Sequence, residues 1–153
     1  MFTHNFYMKE AILEAKKAFN NKEVPIGCII VYENEIIARA YNMRNTKKNT
    51  LAHAEIIAIN QATKYIGDWR LDDCHMYITL EPCPMCAGAI IQARIPKVIL
   101  GAKNYKSGSG GTIINILQEK RFNHQVELIE DVLESDCSNL LRTFFKEMRK
   151  NKG

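Results

Sequence analysis

No apolar run in the sequence approaches the ~18 residues needed for a helix to span a bilayer, so no membrane segment is expected. A secretory leader is not expected either. The chain opens Met1-Phe2-Thr3-His4-Asn5-Phe6 and places Lys9 and Glu10 where the apolar part of a signal would lie, which predicts a cytoplasmic protein. Cysteines are few and odd in number, at 28, 74, 83, 86 and 137, in a chain of ordinary core size, which argues against a disulfide framework. Cys28 and Cys137 read as small buried hydrophobes. Cys74, although beside His75, precedes the alternating stretch Met76-Tyr77-Ile78-Thr79-Leu80 and reads as the start of a strand. Residues 107–111 are rich in Gly and Ser but lack both the Gly-Lys-Ser/Thr ending of a phosphate loop and the three-glycine spacing of a dinucleotide fingerprint, so no nucleotide cofactor is expected there. Internal repeats and linkers are absent as well. The expectation is one domain over residues 1–153, able to take roughly 70% of its unfolded surface out of water.

With 46% apolar and 25% charged residues, the composition is that of an ordinary globular protein, and its net charge of +4 is modest. The distribution of that charge is more informative. From Arg142 onward, the five basic residues 142, 146, 149, 150 and 152 face the single acid Glu147. Such an end either meets phosphates or is a solvated helix tail.

Residues 3–20 place Met8, Ile12, Ala15 and Phe19 at steps of three and four, predicting an amphipathic helix. The β-branched run 26–32 and residues 36–41, separated by Glu33-Asn34-Glu35, predict a hairpin whose first strand is buried on both faces. An exposed basic loop over 42–50 follows, then a helix over 51–66 stopped by Gly67. Strand 75–80 leads into a Pro-Cys-x-x-Cys turn and a helix to about 94. The remainder reads as strand 97–101, a brief helix near 113–118, strand 126–129 and a last helix over 133–150. Helices interleaved with about five strands predict α/β layers, with helices on both faces of one sheet.

The chemistry concentrates in His53-Ala54-Glu55 and Pro82-Cys83-Pro84-Met85-Cys86. Zinc favours nitrogen and sulfur donors in a tetrahedron, and a catalytic site leaves one corner open. His53, Cys83 and Cys86 supply three corners, and a zinc-activated hydroxide would then form near neutral pH. Glu55, two residues after His53, points roughly 200° away on a regular helix, which suits it poorly as a fourth ligand. It is better placed as a proton shuttle between water, a ring nitrogen and a departing amine. A lone Cys-x-x-Cys is commonly half of a structural zinc site or a redox pair. Here a structural site lacks a paired fourth ligand, since His4, His75 and His124 are scattered, and a redox pair leaves His-x-Glu unexplained. The two halves together match the zinc deaminase signature.

With Glu23-Val24-Pro25-Ile26-Gly27, Ala52-His53-Ala54-Glu55-Ile56, the stretch from Tyr77 to Ala89, Asn123-His124 and Phe144-Phe145, the sequence resembles the bacterial tRNA-specific adenosine deaminases nearly end to end. The resemblance implies a three-layer α/β/α cytidine-deaminase-like fold with a central mixed sheet of about five strands. It also implies a homodimer, one zinc ion per subunit, and conversion of adenosine to inosine at the wobble position of an arginine tRNA anticodon stem-loop. By the same resemblance, Asn42 would bond the flipped purine, Asn123 and Lys106 would lie near the extruded nucleotide, and Phe144, Phe145 and Arg149 would line the RNA channel. Plainer alternatives stand beside these: Asn42 caps a strand, Phe144 and Phe145 are core, Lys106 is solvated. A base must leave its stack to be reached, which favours unpaired loop nucleotides and gives the basic, aromatic C-terminal helix a purpose. The sequence departs from the family at Asn104, where aspartate is usual beside the target sugar, and this predicts a weaker preference for RNA over DNA. Leu51 replaces a frequent threonine, with no expected effect on the chemistry. Two rival readings remain, a deaminase of a free base such as guanine and a non-catalytic, zinc-stabilised RNA-binding subunit.

Overall fold

The computed structural model describes residues 2–152; the first and last positions of the expected domain, Met1 and Gly153, lie outside the described residues. Helix α1 (His4–Asn20) begins where the Thr3 side chain accepts the Phe6 N–H at 3.0 Å, a cap for an otherwise unpaired donor. Strands β1 (Gly27–Tyr32) and β2 (Glu35–Tyr41) form the expected hairpin, and β1 is buried nearly throughout. Helix α2 (Ala54–Ile66) ends at Gly67, whose φ of 80° is the left-handed stop that glycine adopts without steric cost. The helix starts three residues later than the periodicity suggests. The Leu51 N–H is taken by the Asn49 side chain and the Ala52 N–H by the Asn49 carbonyl, so both serve the preceding loop.

Strand β3 (Cys74–Leu80) passes through Glu81-Pro82-Cys83 into α3 (Pro84–Gln92), and β4 (Lys97–Ala102), β5 (Glu127–Ile129) and α4 (Glu134–Lys152) complete the fold. The brief helix expected near 113–118 is not formed. The β-branched run Thr112-Ile113-Ile114 is a poor helix former, and its backbone donors are claimed elsewhere. The Ile113 N–H goes to the Gly108 carbonyl, the Ile116 N–H to Ser109, and the Asn115 side chain accepts the Gln118 N–H. The result is a succession of turns with one isolated bridge, Gly110 to Asn115.

The sheet order is β2-β1-β3-β4-β5, antiparallel through the first three strands and parallel between β3, β4 and β5. Alternation with period two sends Cys28, Ile30, Met76, Ile78, Val98 and Leu100 to one face, where Ala54, Ala58 and Ala62 of α2 and Ala87, Ile90 and Ile91 of α3 cover them. Ile29, Val31, Tyr77 and Ile99 point to the other face, under Met8, Ala11 and Ile12 of α1 and Cys137 of α4. These are the three α/β/α layers expected from the sequence. The pairing directions have a further consequence. Strands β2, β3 and β4 all run the same way, so their carboxyl ends meet at one edge of the sheet, the usual place for a site in an open α/β fold. No helix among the described residues is long and apolar enough to cross a membrane.

Candidate active site

Two chain segments deliver three donors to that edge. His53 is the N-cap residue of α2, Cys83 is the N-cap residue of α3, and Cys86 sits in the first turn of α3. The Nδ1 atom of His53 lies 3.7 Å from Cys83 Sγ and 3.4 Å from Cys86 Sγ. All three donor atoms fall within 4.8 Å of one another. Tetrahedral bonds of ~2.3 Å to sulfur and ~2.0 Å to nitrogen place neighbouring donors roughly 3.5 Å apart. The residues therefore fit a zinc ion in both spacing and chemistry.

Electrostatics favour the thiolate at Cys83 and the protonated form at its two neighbours. A hydrogen bond from Cys86, joined by one from His53, brings the Cys83 thiol down to about 4, whereas Cys86 is raised by its bond to Cys83 and by burial. The bond with Cys83 also raises His53. Glu55 stands outside the triad, at the second residue of α2, with only 4% of its surface exposed. Burial pushes its carboxyl up to about 7, where it can both take and return a proton near neutrality.

His53, Cys83 and Glu55 lie at a cleft of about 380 Å³ that also touches Asn42, Arg44, Lys103, Asn104, Lys106 and Phe145. Asn42 follows β2 and is 6% exposed; its Oδ1 accepts the Arg44 N–H at 3.1 Å and its Nδ2 donates to the Val24 carbonyl at 3.3 Å. Asn104 to Lys106 follow β4. The Lys106 ammonium lies 5.4 Å from the centroid of the Phe145 ring, within cation–π range, so a charge and an aromatic face sit together beside the cleft.

The chain fits a family model for MafB19-like deaminases over residues 2–149. It is 53% identical over 152 residues to the tRNA-specific adenosine deaminase of Bacillus subtilis (strain 168), covering 99% of this chain and 94% of that one. The chain belongs to the tRNA-specific adenosine deaminase family. A solved structure from work on A-to-I editing by tRNA:A34 deaminases superposes with a TM-score of 0.85 at 34% identity, over 89% of this chain and 99% of that one. A guanine deaminase from Bacillus subtilis superposes less completely, with a TM-score of 0.64 at 39% identity over 67% of this chain and 66% of that one. Membership makes the chain an enzyme whose His/Cys/Cys group can hold a metal ion.

As a tRNA-specific adenosine deaminase family member, the chain carries eleven residues singled out from sequence, and they divide unevenly in space. His53, Glu55, Cys83, Asn42, Asn104, Lys106 and Phe145 line the cleft, and Cys86 lies buried beside His53. Phe144, Asn123 and Arg149 do not line it. Phe144 is 6% exposed and packs edge-on against Phe19 of α1, whereas Asn123 and Arg149 are exposed. Sequence reasoning passed over Glu81, Arg44, Lys103 and Tyr105, which also line the cleft. The basic loop composition was a signal for Arg44, and for Glu81 none existed, because an acid at a strand end ordinarily faces water.

Proposed function

We propose that the protein hydrolyses adenosine to inosine at the wobble position of a tRNA anticodon, with an arginine tRNA as substrate. The carrying observation is the placement of His53, Cys83 and Glu55, with Cys86 buried beside them, at a cleft with a basic and aromatic border made by Arg44, Lys103, Lys106 and Phe145. That border suits a splayed nucleotide, with phosphates for the cations and a base for the ring. His53, Cys83 and Cys86 would hold one zinc ion, and bound there it would lower the pKa of water enough to supply a nucleophile near neutral pH. Glu55 takes a proton from the attacking water, passes it to the purine ring nitrogen and then protonates the leaving amine. The C6–O bond forms first, and the C6–N bond breaks as the proton of the new hydroxyl, relayed by Glu55, reaches the amine, giving inosine and ammonia. Asn42 orients the purine within the cleft, and Lys106 and Phe145 hold the nucleotide beside it. Asn104 borders the sugar, and Asn123, Phe144 and Arg149 support the RNA path away from the cleft.

The whole chain serves as a single deaminase domain, working in the cytoplasm as a homodimer. A shallow apolar depression between α2 and α3, touched by Ile56, Ile59, Trp69 and Ala89, supports the dimer. Trp69 is 56% exposed, and a side chain at Gly88 would meet nothing within 4 Å of its own chain. The direct experiment is inosine formation at the wobble adenosine of an arginine anticodon stem-loop. Efficient deamination of free guanine, with the stem-loop left untouched, would overturn this reading in favour of a free-base deaminase.

A further inference from the structure

Glu81 leaves β3 immediately before Pro82-Cys83 and is 2% exposed. No ion pair among the described residues involves it. Its carboxylate instead takes four donors, all from one segment. Oε1 accepts the Asn104 N–H at 3.2 Å and the Thr112 hydroxyl, and Oε2 accepts the Gly110 N–H at 2.8 Å and the Thr112 N–H at 3.1 Å. The backbone around Glu81 adds to this hold. The Asn104 side-chain amide donates to the Glu81 carbonyl at 3.4 Å, and the Ser109 N–H donates to the Pro82 carbonyl at 2.9 Å.

Residues 104–112 thus form a loop without helix or ladder of its own, closed around one buried carboxylate. The closure is tight at Gly108, where a Cβ would come within 2.6 Å of Glu81 Oε2 and 2.4 Å of the Asn104 carbonyl oxygen. A carboxylate suits this place because it is acceptor-only, with about four lone-pair sites, whereas an amide would turn an N–H toward an N–H. The loop carries Asn104, Lys106 and Ser107 to the cleft, and Glu81 stands two residues from Cys83.

We propose that Glu81 is a positioning residue that fixes residues 104–112 as a wall of the cleft, in register with the Cys83 turn, and so sets substrate affinity while touching no reacting atom. The proposal rests on the reading of that cleft as the adenosine site. Its test compares Glu81→Gln and Thr112→Val with the unaltered protein and with Thr112→Ser, which keeps the hydroxyl. Amide exchange over residues 104–112, zinc content, and KM and kcat on an adenosine stem-loop are all measured. Loss of charge-assisted bonds in Glu81→Gln should speed exchange at Gly110 and Thr112 and raise KM by ~10-fold, with kcat within ~3-fold and zinc retained. Thr112→Val should shift KM the same way by a smaller factor, and Thr112→Ser should restore it.

Unchanged exchange in Glu81→Gln overturns the proposal. So does faster exchange with an unaltered KM, or a loss of zinc and kcat at constant KM, which would assign Glu81 to the metal turn. Should Glu81→Gln fail to fold, the Thr112 pair decides: equal KM for Val and Ser overturns the proposal, and a Val-specific rise supports it. If the unaltered protein leaves the stem-loop unreacted while Glu81→Gln still exchanges faster, the adenosine reading falls and the clamp on the loop stands.

Discussion

Asn104 and Ser107 hold each other reciprocally: Asn104 Oδ1 accepts the Ser107 N–H at 3.1 Å, and Asn104 Nδ2 donates to Ser107 Oγ at 3.1 Å. Oδ1 also takes the Lys106 N–H at 3.1 Å, so both of its lone pairs are used within the turn. A ribose 2′-hydroxyl donating to Asn104 would have to compete with these backbone groups. An aspartate would keep one oxygen for the turn and put a second, charged acceptor where Nδ2 now donates to the Glu81 carbonyl, a place that then needs a donor such as the ribose hydroxyl. Asn104→Asp is therefore expected to raise the ratio of RNA to DNA deamination, measured on matched hairpins by several-fold or more. Equal ratios for the two proteins would remove Asn104 from sugar recognition.

Glu55 is outside the donor triad but inside the cleft, which separates its loss from loss of metal. Replacing it with alanine should lower turnover by ~10²- to 10⁴-fold, the range for a positioned proton shuttle. Metal analysis should still find one zinc per chain. Unchanged turnover in Glu55→Ala would remove Glu55 from the proton transfers.

Three donors drawn from two helix starts tie α2 to α3, so an ion held by them should stabilise the fold as well as serve the chemistry. Treatment with a strong chelator should abolish turnover and lower the unfolding temperature, and added zinc should restore both. Cys86→Ala should resemble the chelated protein even with zinc present. An unfolding temperature indifferent to both treatments would contradict a metal in this position.

His75 faces Val31 of β1 and Lys97 of β4, and its burial, reinforced by the Lys97 charge, lowers its pKa below the ordinary 6.5. The unfolded chain therefore binds the additional proton first as pH falls, and ∂ΔG/∂pH of unfolding is positive in that interval. His75 makes no demand above pH 6.5 and weakens the fold progressively below it, down to its folded pKa. Urea midpoints of the natural protein and His75→Gln should run parallel above pH 7 and separate below 6.5, with the natural protein losing more. Parallel curves down to pH 5 would show that His75 titrates normally.

Most of the fold was legible because its signals are local. Strand alternation, the Gly67 stop and the proline-cysteine turn each depend on neighbours in sequence. Failure came at residues 113–118, where apolar spacing suggested a helix but Gly108, Ser109 and Asn115 claimed the backbone groups. Phe144 and Phe145 show the same limit on a smaller scale. Adjacent residues on a helix point about 100° apart, so one enters the α1 packing and the other reaches the cleft, and only the seating of α4 decides which.

By itself the sequence determined the donor set, because Cys83 and Cys86 share one turn and His53 and Glu55 share another, and it determined the order of elements around one sheet. Tertiary structure alone decided what surrounds those donors. The parallel run of β2, β3 and β4 brings Asn42, Cys83 and Asn104 to one edge, and the fold of residues 104–112 spends the Glu81 carboxylate on holding a wall in place. Donor type is a property of a residue, whereas the partner of a buried carboxylate is set by whichever segment the fold lays across it.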